Sequence, residues 1–480
     1  MDAIKLAGLE PARVFSYFEQ ICSIPHGSGN TKAISDFLVN FAREHELRYV
    51  QDELNNVILF ADGTCGMEDR PPIILQGHMD MVCEKDADCS IDMDRQGVDV
   101  THDGRFVFAN GTTLGADNGI AVAYALAILE DPSIAHPPLE VVITVDEETG
   151  MYGAAGIDLS CLKSNRMINL DSDAEGILTV SCAGGARTEI TLPVQRRAVY
   201  GPCVRLTVEG LRGGHSGVEI HKNITNANKV MGMLLERVQA QMPFCITGIA
   251  GGAKDNVIPR ACRVTMVMLG MHPERINDIA QQLQEEIRSQ FDEPDALVWG
   301  ENVDALGGNA LTAESTATLI SLLNAVPNGV QSWSEDIPGL VQTSLNLGVV
   351  KLEEELSLVF AVRSCVDAQK REVLDRVAAV ASMHGATVTE RGQYPAWEFK
   401  KDSDLREKMV RVYAGMYGVE PKIEAIHAGL ECGFFGGKLP GLDCVAMGPT
   451  AYDIHTSRER LDIGSTKRVW EYLLELFKCL

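Results

Sequence analysis

The sequence predicts an α/β protein in which a mainly parallel sheet is interrupted by an α+β insertion. Short, almost continuously apolar segments alternate with helical segments up to about residue 187 and again from about residue 390. This alternation is typical of strands that are buried on both faces and joined by helices. Between these parts, strands and helices follow the order β-α-β-β-α-β, which indicates a ferredoxin-like unit. We therefore predict one domain formed by 1–187 and 390–480 and a second formed by 188–389.

The N-terminal part of the first domain begins with two amphipathic helices, which are followed by short strands. Apolar residues at helical spacing predict both helices, and Pro11 and Asn30 are suitable start signals. An alanine-rich helix begins just after Asp117 and Asn118. The predicted elements are helices at 11–23, 31–45 and 119–129 and strands at 56–60, 73–76, 141–145 and 167–170.

The insertion contains one ferredoxin-like unit and the elements of a second. The element order suggests a duplication, although the residues themselves show no clear repeat. The first unit is predicted from strands at 204–208, 244–248, 262–269 and 296–299 and helices at 226–238 and 273–291. The second is predicted from helices at 312–325 and 369–383, a hairpin of 340–349 with 356–362, and a strand at 387–390.

The C-terminal part returns to the style of the first domain. A helix is predicted at 402–416, a strand at 443–447 and a closing helix at 465–480. Because Trp470, Leu473 and Phe477 recur at helical spacing, the closing helix should pack against the core.

Charge and composition exclude several classes of protein. The 480 residues carry 42 Lys and Arg against 67 Asp and Glu, a formal net charge of −25. Nucleic acids and anionic membranes are polyanions, so we expect neither as a partner. The 13 cysteines are scattered without a Cys-x-x-Cys pair, which favours reduced thiols in a cytoplasmic protein over a disulfide scaffold. We expect no export signal and no membrane-spanning segment.

Acidic and histidine side chains follow several of the predicted strands. His78 and Asp80 come directly after one apolar strand, and Asp146-Glu147-Glu148 and Asp171 follow two others. Asp117 stands at the start of the alanine-rich helix, and His455 lies in a polar turn. Each piece has a simpler interpretation, such as a solvated loop histidine or an Asp that caps a helix.

The pieces together indicate a site for paired divalent metals. Open α/β sheets bind ligands beyond the carboxyl ends of their strands, and adjacent carboxylates at such a place repel one another unless a cation or protons neutralise them. Histidine and carboxylate ligands suit two divalent ions, of which zinc is the simplest choice. One of Glu147 and Glu148 can then bind metal while the other serves as a base.

In order and spacing, these motifs resemble those of the M20 metallopeptidase family, and within it the cytosolic Xaa-His (aminoacyl-histidine) dipeptidase branch. The resemblance covers essentially the whole chain and implies a zinc-peptidase catalytic domain interrupted by a lid domain. It implies two zinc ions per chain, for which cobalt or manganese can substitute. The segments that carry it are 76–82, 113–119, 146–150, 169–172 and His455.

The resemblance also implies a role for each residue of the metal site. Asp117 would bridge the two metals, with His78 and Asp171 completing one site and Glu148 and His455 the other. Glu147 would be the general base that activates a water molecule and later protonates the leaving amine. Asp80 would accept the free ring N–H of His78, which fixes the tautomer of the ring.

The insertion and the C-terminal part supply candidate substrate-binding residues. His215 lies in a glycine-rich turn and matches a histidine that reaches the scissile carbonyl. Asn256 matches a substrate-holding asparagine, and Arg363 would pair with the terminal carboxylate of the substrate. Gly429 and Glu431 would line the pocket, although 427–433 also fits a glycine-rich helix start. After Lys222 the chain has Asn223, where the branch usually has Gly, so the side-chain preference of the pocket stays open.

We therefore expect a cytosolic zinc dipeptidase that cleaves unblocked dipeptides, Xaa-His among them. The alternative is another M20 activity, such as an N-acyl amino acid amidohydrolase or a tripeptidase. A silent binding protein should lack Glu147 or a ligand, and all are present. A nucleotide-binding protein is disfavoured because the chain has no G-x-x-x-x-G-K-[ST] motif. The lid could form a homodimer, or its duplication could replace that partner; we expect the dimer.

Overall fold

The computed structural model describes residues 5–270 and 275–480. The chain divides into two units. The first is formed by Met1–Ser181, Phe399–Ala425 and Leu430–Leu480, and the second by Cys182–Glu398 and Ile426–Gly429. The chain thus returns to the second unit for four residues before it completes the first.

Helices and strands alternate along the first unit. Its N-terminal part contains α1 (Ala12–Cys22), α2 (Lys32–Glu44), β1 (Arg48–Gln51), β2 (Val57–Ala61), β3 (Ile73–His78), β4 (Val100–His102), β5 (Phe106–Ala109), α3 (Ala116–Glu130), β6 (Leu139–Thr144), α4 (Tyr152–Gly156), β7 (Arg166–Asn169) and β8 (Ile177–Cys182).

The second unit is richer in strands. It contains β9 (Gly184–Leu192), β10 (Arg196–Glu209), β11 (Gly214–His215), α5 (Ala227–Gln239), β12 (Phe244–Gly251), β13 (Val257–Ile258), β14 (Cys262–Met268), α6 (Arg275–Gln290), β15 (Leu297–Leu311), α7 (Ala313–Ala325), β16 (Gly329–Trp333), β17 (Val341–Leu352), β18 (Leu356–Ser364), α8 (Asp367–Met383) and β19 (Thr387–Tyr394).

The C-terminal part of the chain completes the first unit. It contains α9 (Asp404–Tyr417), β20 (Lys422–Ile426), α10 (Cys432–Lys438), β21 (Asp443–Ala446), β22 (Ala451–Tyr452), β23 (Arg460–Asp462) and α11 (Ile463–Cys479).

The first unit is built on an eight-stranded sheet in the order β1-β2-β6-β3-β7-β21-β8-β20. The four central strands, β6, β3, β7 and β21, are parallel, whereas β1, β2 and β8 pair antiparallel with their neighbours. Every residue of β3 and β6 is buried, as their continuous apolar runs predict. The α/β class is confirmed, and the sheet is mixed because antiparallel strands flank its parallel centre.

The second unit contains a sheet in which two β-α-β-β-α-β units share one layer. The strand order is β15-β10-β14-β12-β17-β18-β9-β19. One unit is β10-α5-β12-β14-α6-β15, and the other is β9-α7-β17-β18-α8-β19. The first is inserted between β9 and α7 of the second, and the two join where β12 pairs with β17. Buried residues of α5, α6, α7 and α8 share one hydrophobic cluster with the strands.

The structure differs from the sequence prediction in a few elements. The strand predicted at 296–299 is the 15-residue β15, which is polar, glycine-containing and at the sheet edge, and so lacks an apolar signal. The small sheet β22-β23-β5-β4 was not predicted, because its strands are only two to four residues long. The predicted helix start at Pro273 lies outside the described residues. Within the described part of the chain, no helix is long and apolar enough to span a membrane.

Candidate metal centre

The candidate metal-binding side chains are brought together at one edge of the parallel strands. His78 is the last residue of β3, Glu148 follows β6, and Asp171 follows β7. Because β6, β3 and β7 are adjacent and parallel, their carboxyl ends meet at one place. Asp117 comes from the start of α3, and His455 comes from the loop between β22 and β23.

The carboxylate of Asp117 lies between two histidine rings. Its Oδ1 is 3.2 Å from Nε2 of His78, and its Oδ2 is 3.2 Å from Nε2 of His455. Each histidine has a second carboxylate beside the same nitrogen: Oδ1 of Asp171 is 3.5 Å from His78, and Oε1 of Glu148 is 2.9 Å from His455. The site therefore consists of two three-residue groups that share Asp117.

The charges of the site are strongly coupled. Burial alone would lower the pKa of His78, but Asp171 and Asp117 outweigh it and hold that pKa well above its usual value. Asp117 and Glu148 raise the pKa of His455 to about 10. Burial would raise the pKa of Asp117, yet the two histidines hold it well below its usual range. Without metal, protons on the histidines therefore supply the positive charge that the carboxylates require.

The donor set fits divalent metal ions. Ligand atoms of His78, Asp117 and Glu148 all lie within 4.8 Å of one another. Oε1 of Glu148 is buried and receives no hydrogen bond from any described residue, although it lies 2.9 Å from Nε2 of His455. A cation would satisfy both atoms, because metal binding replaces the protons of its histidine ligands.

Asp80 is fully buried and contacts both His78 and the segment that carries Glu147 and Glu148. Its Oδ1 lies 3.4 Å from Nδ1 of His78, and its backbone carbonyl is closer to that nitrogen, at 3.0 Å. Its carboxylate also accepts hydrogen bonds from the N–H groups of Glu147 (3.1 Å) and Glu148 (3.4 Å) and from the Ser28 hydroxyl (2.7 Å). Asp80 thus fixes the ring of His78 and the backbone of the two glutamates together.

Glu147 lies next to the ligands without belonging to either three-residue group. Burial raises the pKa of Glu147 well above its ordinary value, and the carboxylates of Asp171, Glu431 and Glu148 add to the effect. A carboxyl group with a raised pKa is a stronger base than an ordinary carboxylate.

The second unit contains a separate group of predicted substrate-binding residues. His215 lies on β11, which pairs with β13. Its Nδ1 accepts hydrogen bonds from the N–H groups of Gly217 (3.1 Å) and Val218 (3.2 Å), so Nε2 carries the proton of the neutral ring. Asn256 precedes β13, and its carbonyl accepts a hydrogen bond from the N–H of Ser216 (2.9 Å). The pairing of β11 with β13 therefore brings His215 and Asn256 together.

Arg363 lies close to His215 in this unit. Its Nη1 donates to the hydroxyl of Tyr394 at 3.0 Å, and its buried Nε has no hydrogen-bond partner among the described residues. Gly217 separates the groups: a Cβ there would lie 3.2 Å from Nε of Arg363, 3.0 Å from Cε1 of His215 and 2.7 Å from the carbonyl oxygen of His427. A side chain at 217 would therefore push these residues apart.

His427 completes the group. Its Nε2 lies 2.7 Å from the hydroxyl of Ser344, and burial together with the charge of Arg363 lowers its pKa to about 3. His427 is therefore neutral, and Arg363 is the cation of this group. Gly429 is half-buried in the loop that follows.

A sequence model of peptidase family M20/M25/M40 matches residues 74–478. The chain belongs to this peptidase family. The cytosol non-specific dipeptidase of Escherichia coli strain K12 is 36% identical over 482 residues, which cover 99% of both proteins. The family predicted from the sequence is thereby confirmed.

Solved structures agree with this assignment. The crystal structure of an aminoacylhistidine dipeptidase from Vibrio alginolyticus matches with a TM-score of 0.94 and 34% identity, covering 99% of this chain and 98% of that one. An aminopeptidase of Bacillus cereus matches with a TM-score of 0.56 at 14% identity, covering 98% of both chains. The second likeness is one of fold alone.

A buried polar layer lies beneath the ligands of this M20 peptidase. Gln76 and Asn169 stand two residues before His78 and Asp171 on neighbouring strands and therefore share their faces. Nδ2 of Asn169 donates to Oε1 of Gln76, and Nε2 of Gln76 donates to Oε2 of Glu431.

Glu431 belongs to this layer. It is fully buried, and its Oε2 also accepts a hydrogen bond from the hydroxyl of Thr144 at 2.6 Å. Its Oε1 has no hydrogen-bond partner among the described residues. Glu431, which was predicted to line a substrate pocket, is thus buried in the core, where it contacts β3 and β6.

Sequence reasoning missed two groups that hold the M20 site in place. Nδ2 of Asn118 donates to the carbonyl of Leu170 (2.8 Å), and its Oδ1 accepts from the N–H of His78 (3.2 Å). Asn118 therefore links the strand ends that carry His78 and Asp171. Ser28 and Gly29 bind the carboxylates of Asp80 and Asp146. The only sequence signal was adjacency, since Asn118 follows Asp117 directly.

Proposed function

We propose that the chain is a cytosolic dipeptidase that hydrolyses the peptide bond of unblocked dipeptides, Xaa-His among them, with two divalent metal ions, most simply zinc. The observation that carries this proposal is the carboxylate of Asp117, whose two oxygens face Nε2 of two different histidines, each beside a second carboxylate. The names of the two relatives that cover nearly the whole chain support the choice of a dipeptidase.

Five side chains would hold the metals. Asp117 would bridge them, His78 and Asp171 would bind one ion, and Glu148 and His455 would bind the other. When bound, the ions would supply Lewis-acid activation of water and of the scissile carbonyl. Asp80 would keep the ring of His78 oriented, because it lies against the other ring nitrogen.

Glu147 would move the proton. Its carboxylate takes a proton from the attacking water as the water oxygen bonds to the peptide carbon. It then delivers that proton to the amide nitrogen as the C–N bond breaks, so that a free carboxylic acid and a free amine result. The raised pKa of Glu147 favours proton uptake from the attacking water, because it makes this carboxylate a stronger base than an ordinary one.

The second unit would bind the substrate. Arg363 would pair with the C-terminal carboxylate of the dipeptide, a geometry in which a guanidinium donates two parallel hydrogen bonds. Nε2–H of His215 would donate to the carbonyl oxygen as negative charge develops on it. Asn256 and Gly429 would contact the peptide, and Glu431 would act on the pocket from the buried layer. We propose this unit as a lid domain that also forms the contact of a homodimer.

A panel of substrates tests the proposed function. The zinc-loaded protein is given β-Ala-His, Gly-His, Leu-Gly, an N-acetyl amino acid and a tripeptide, with chelator-treated protein and Glu147→Gln as controls. We expect cleavage of the free dipeptides alone, lost in both controls. Preferred cleavage of the N-acetyl amino acid or the tripeptide would replace the proposal with the corresponding M20 activity. Cleavage by chelator-treated protein would contradict the metal requirement.

A further inference from the structure

The buried carboxylate of Glu459 accepts hydrogen bonds from the loop that carries Asp117. Oε2 of Glu459 accepts hydrogen bonds from the N–H groups of Leu114 (2.7 Å) and Gly115 (3.0 Å). Oε1 accepts from the N–H groups of Ala116 (2.8 Å) and Asp117 (3.3 Å). Glu459 is only 3% exposed, so these four consecutive N–H groups are bound by a carboxylate in the protein interior.

The backbone around Gly115 explains why the four N–H groups converge. Gly115 has φ 78° and ψ 27°, in the left-handed region, directly before α3. Successive N–H groups in such a turn form a concave surface that binds anions, and the start of a helix favours negative charge. A side chain at 115 would also collide with Met81, since a Cβ would lie 2.9 Å from its Sδ.

The hydrogen bonds of Glu459 connect the segment that carries Asp117 with the turn that carries His455. Asp117 has φ −83° and ψ 101°, outside the helical region although it lies within the bounds of α3, so regular helix geometry does not fix its position. Glu459 comes from the turn that carries His455, and its N–H donates to the carbonyl of Thr456 at 3.1 Å. One carboxylate therefore ties together two loops that each deliver a ligand to the same group.

We propose that Glu459 is a positioning residue of the metal centre, which holds the Asp117 backbone in register with the His455 loop so that Asp117 faces both histidines. This inference rests on the proposed function, because it requires metal at Asp117. Groups that orient metal ligands typically change metal affinity about 10–100-fold when they are removed. Glu459 should therefore act on zinc affinity, beyond any effect on folding.

The competing explanation is that Glu459 merely stabilises the start of α3. The chain offers a matched control in Glu140, which is 4% exposed. Its carboxylate also accepts hydrogen bonds from two backbone N–H groups, those of Lys163 (2.8 Å) and Ser164 (3.0 Å). Glu140 lies at the start of β6, whereas the metal ligands follow the strand ends.

Zinc affinity separates the two explanations. Full-length wild type, Glu459→Gln and Glu140→Gln are stripped with chelator and titrated with Zn²⁺ against a chromophoric chelator, and the thermal unfolding of each metal-free protein is recorded. Glutamine preserves the shape of the side chain but turns an NH₂ group toward N–H donors. We expect Glu459→Gln to bind zinc at least about tenfold more weakly, while Glu140→Gln loses stability and keeps wild-type affinity.

Each result of the zinc titration either supports or overturns the positioning role of Glu459. Wild-type zinc affinity in Glu459→Gln, or an equal loss of affinity in Glu140→Gln, would overturn the inference in favour of a structural role. If Glu459→Gln does not fold, Glu459→Asp retains the charge but is one methylene too short for all four N–H groups, and wild-type affinity there would also overturn it. A wild-type chain that binds fewer than two zinc ions would instead overturn the proposed function, on which the inference rests.

Discussion

Asp117 and His455 lie 338 positions apart in the sequence, yet Nε2 of His455 is 3.2 Å from Oδ2 of Asp117. The second unit accounts for most of this separation, because Cys182–Glu398 interrupts the first unit. The C-terminal segment, which contains α9 and α11, then returns to the first unit and supplies His455, the last of the candidate ligands. The site is thus assembled from the two ends of a single interrupted unit.

Glu147 should be required for hydrolysis but dispensable for metal binding. Glu147→Gln keeps the size of the side chain and loses the base, so we expect unchanged zinc content and a fall in kcat of about 10²–10⁴-fold. Zinc content by atomic absorption and kcat for Gly-His measure both effects. Near-wild-type turnover in Glu147→Gln would refute the assignment of the base.

His455 should be needed at one of the two metal positions. His455→Ala removes the nitrogen that faces both Asp117 and Glu148, and we expect the zinc content to fall from two ions to one, because His78 and Asp171 retain the other position. His221 is exposed, so His221→Ala serves as the control and should keep both ions. Two tightly bound zinc ions in His455→Ala would refute its role as a ligand.

Arg363 should recognise a free carboxylate. Removing one partner of a buried charged pair typically costs about 2–5 kcal/mol of binding, so Arg363→Ala should raise KM for Gly-His by at least about tenfold. We expect the wild type to cleave the C-terminally amidated dipeptide only weakly, and the same substitution should leave that cleavage unchanged. An equal loss for both substrates would show that Arg363 supports the fold of the second unit instead.

Glu431, in the buried polar layer, should make the free energy of unfolding depend on pH. Burial raises the pKa of Glu431 to about 8, against an ordinary value of 4.5. Between these values the folded, metal-free chain keeps a proton that the unfolded chain has released. Its free energy of unfolding should therefore fall as the pH rises from 4.5 to 8, by about 1.4 kcal/mol for each pKa unit of difference.

Urea denaturation of the chelator-treated protein across this pH range measures the effect. Glu431→Gln has no proton to release, so its urea midpoint should fall less steeply with pH than that of the wild type. The two proteins should differ most at pH 8 and above. Parallel curves for the wild type and Glu431→Gln would contradict the buried, proton-holding state of Glu431.

The parts of the site that follow from local pattern could be predicted from the sequence. His78 and Asp171 were predicted because continuous apolar runs mark where their strands end, and parallel strands bring those ends together. The order of elements in the insertion was likewise visible in its periodicity. The periodicity did not indicate that β9 stands before the inserted β-α-β-β-α-β unit, because strand pairing across more than 100 residues leaves no local signal.

The parts that depend on distant contacts could not be predicted. Glu459 is one acidic residue among 67, and its importance comes from four N–H groups more than 340 positions away. Glu431 was expected at the substrate because residues 427–433 resemble the corresponding segment of the dipeptidase branch. Its contacts with Gln76 and Thr144, which place it in the core, join residues that are 355 and 287 positions apart in the sequence.

The central claim is that Asp117 bridges two metal ions, and anomalous X-ray scattering at the zinc edge from crystals of the zinc-loaded protein tests it most directly. We expect two peaks about 3.5–4 Å apart, one beside His78 and Asp171 and the other beside Glu148 and His455, with an oxygen of Asp117 next to each. A single peak, or two peaks of which only one lies beside Asp117, would contradict the claim.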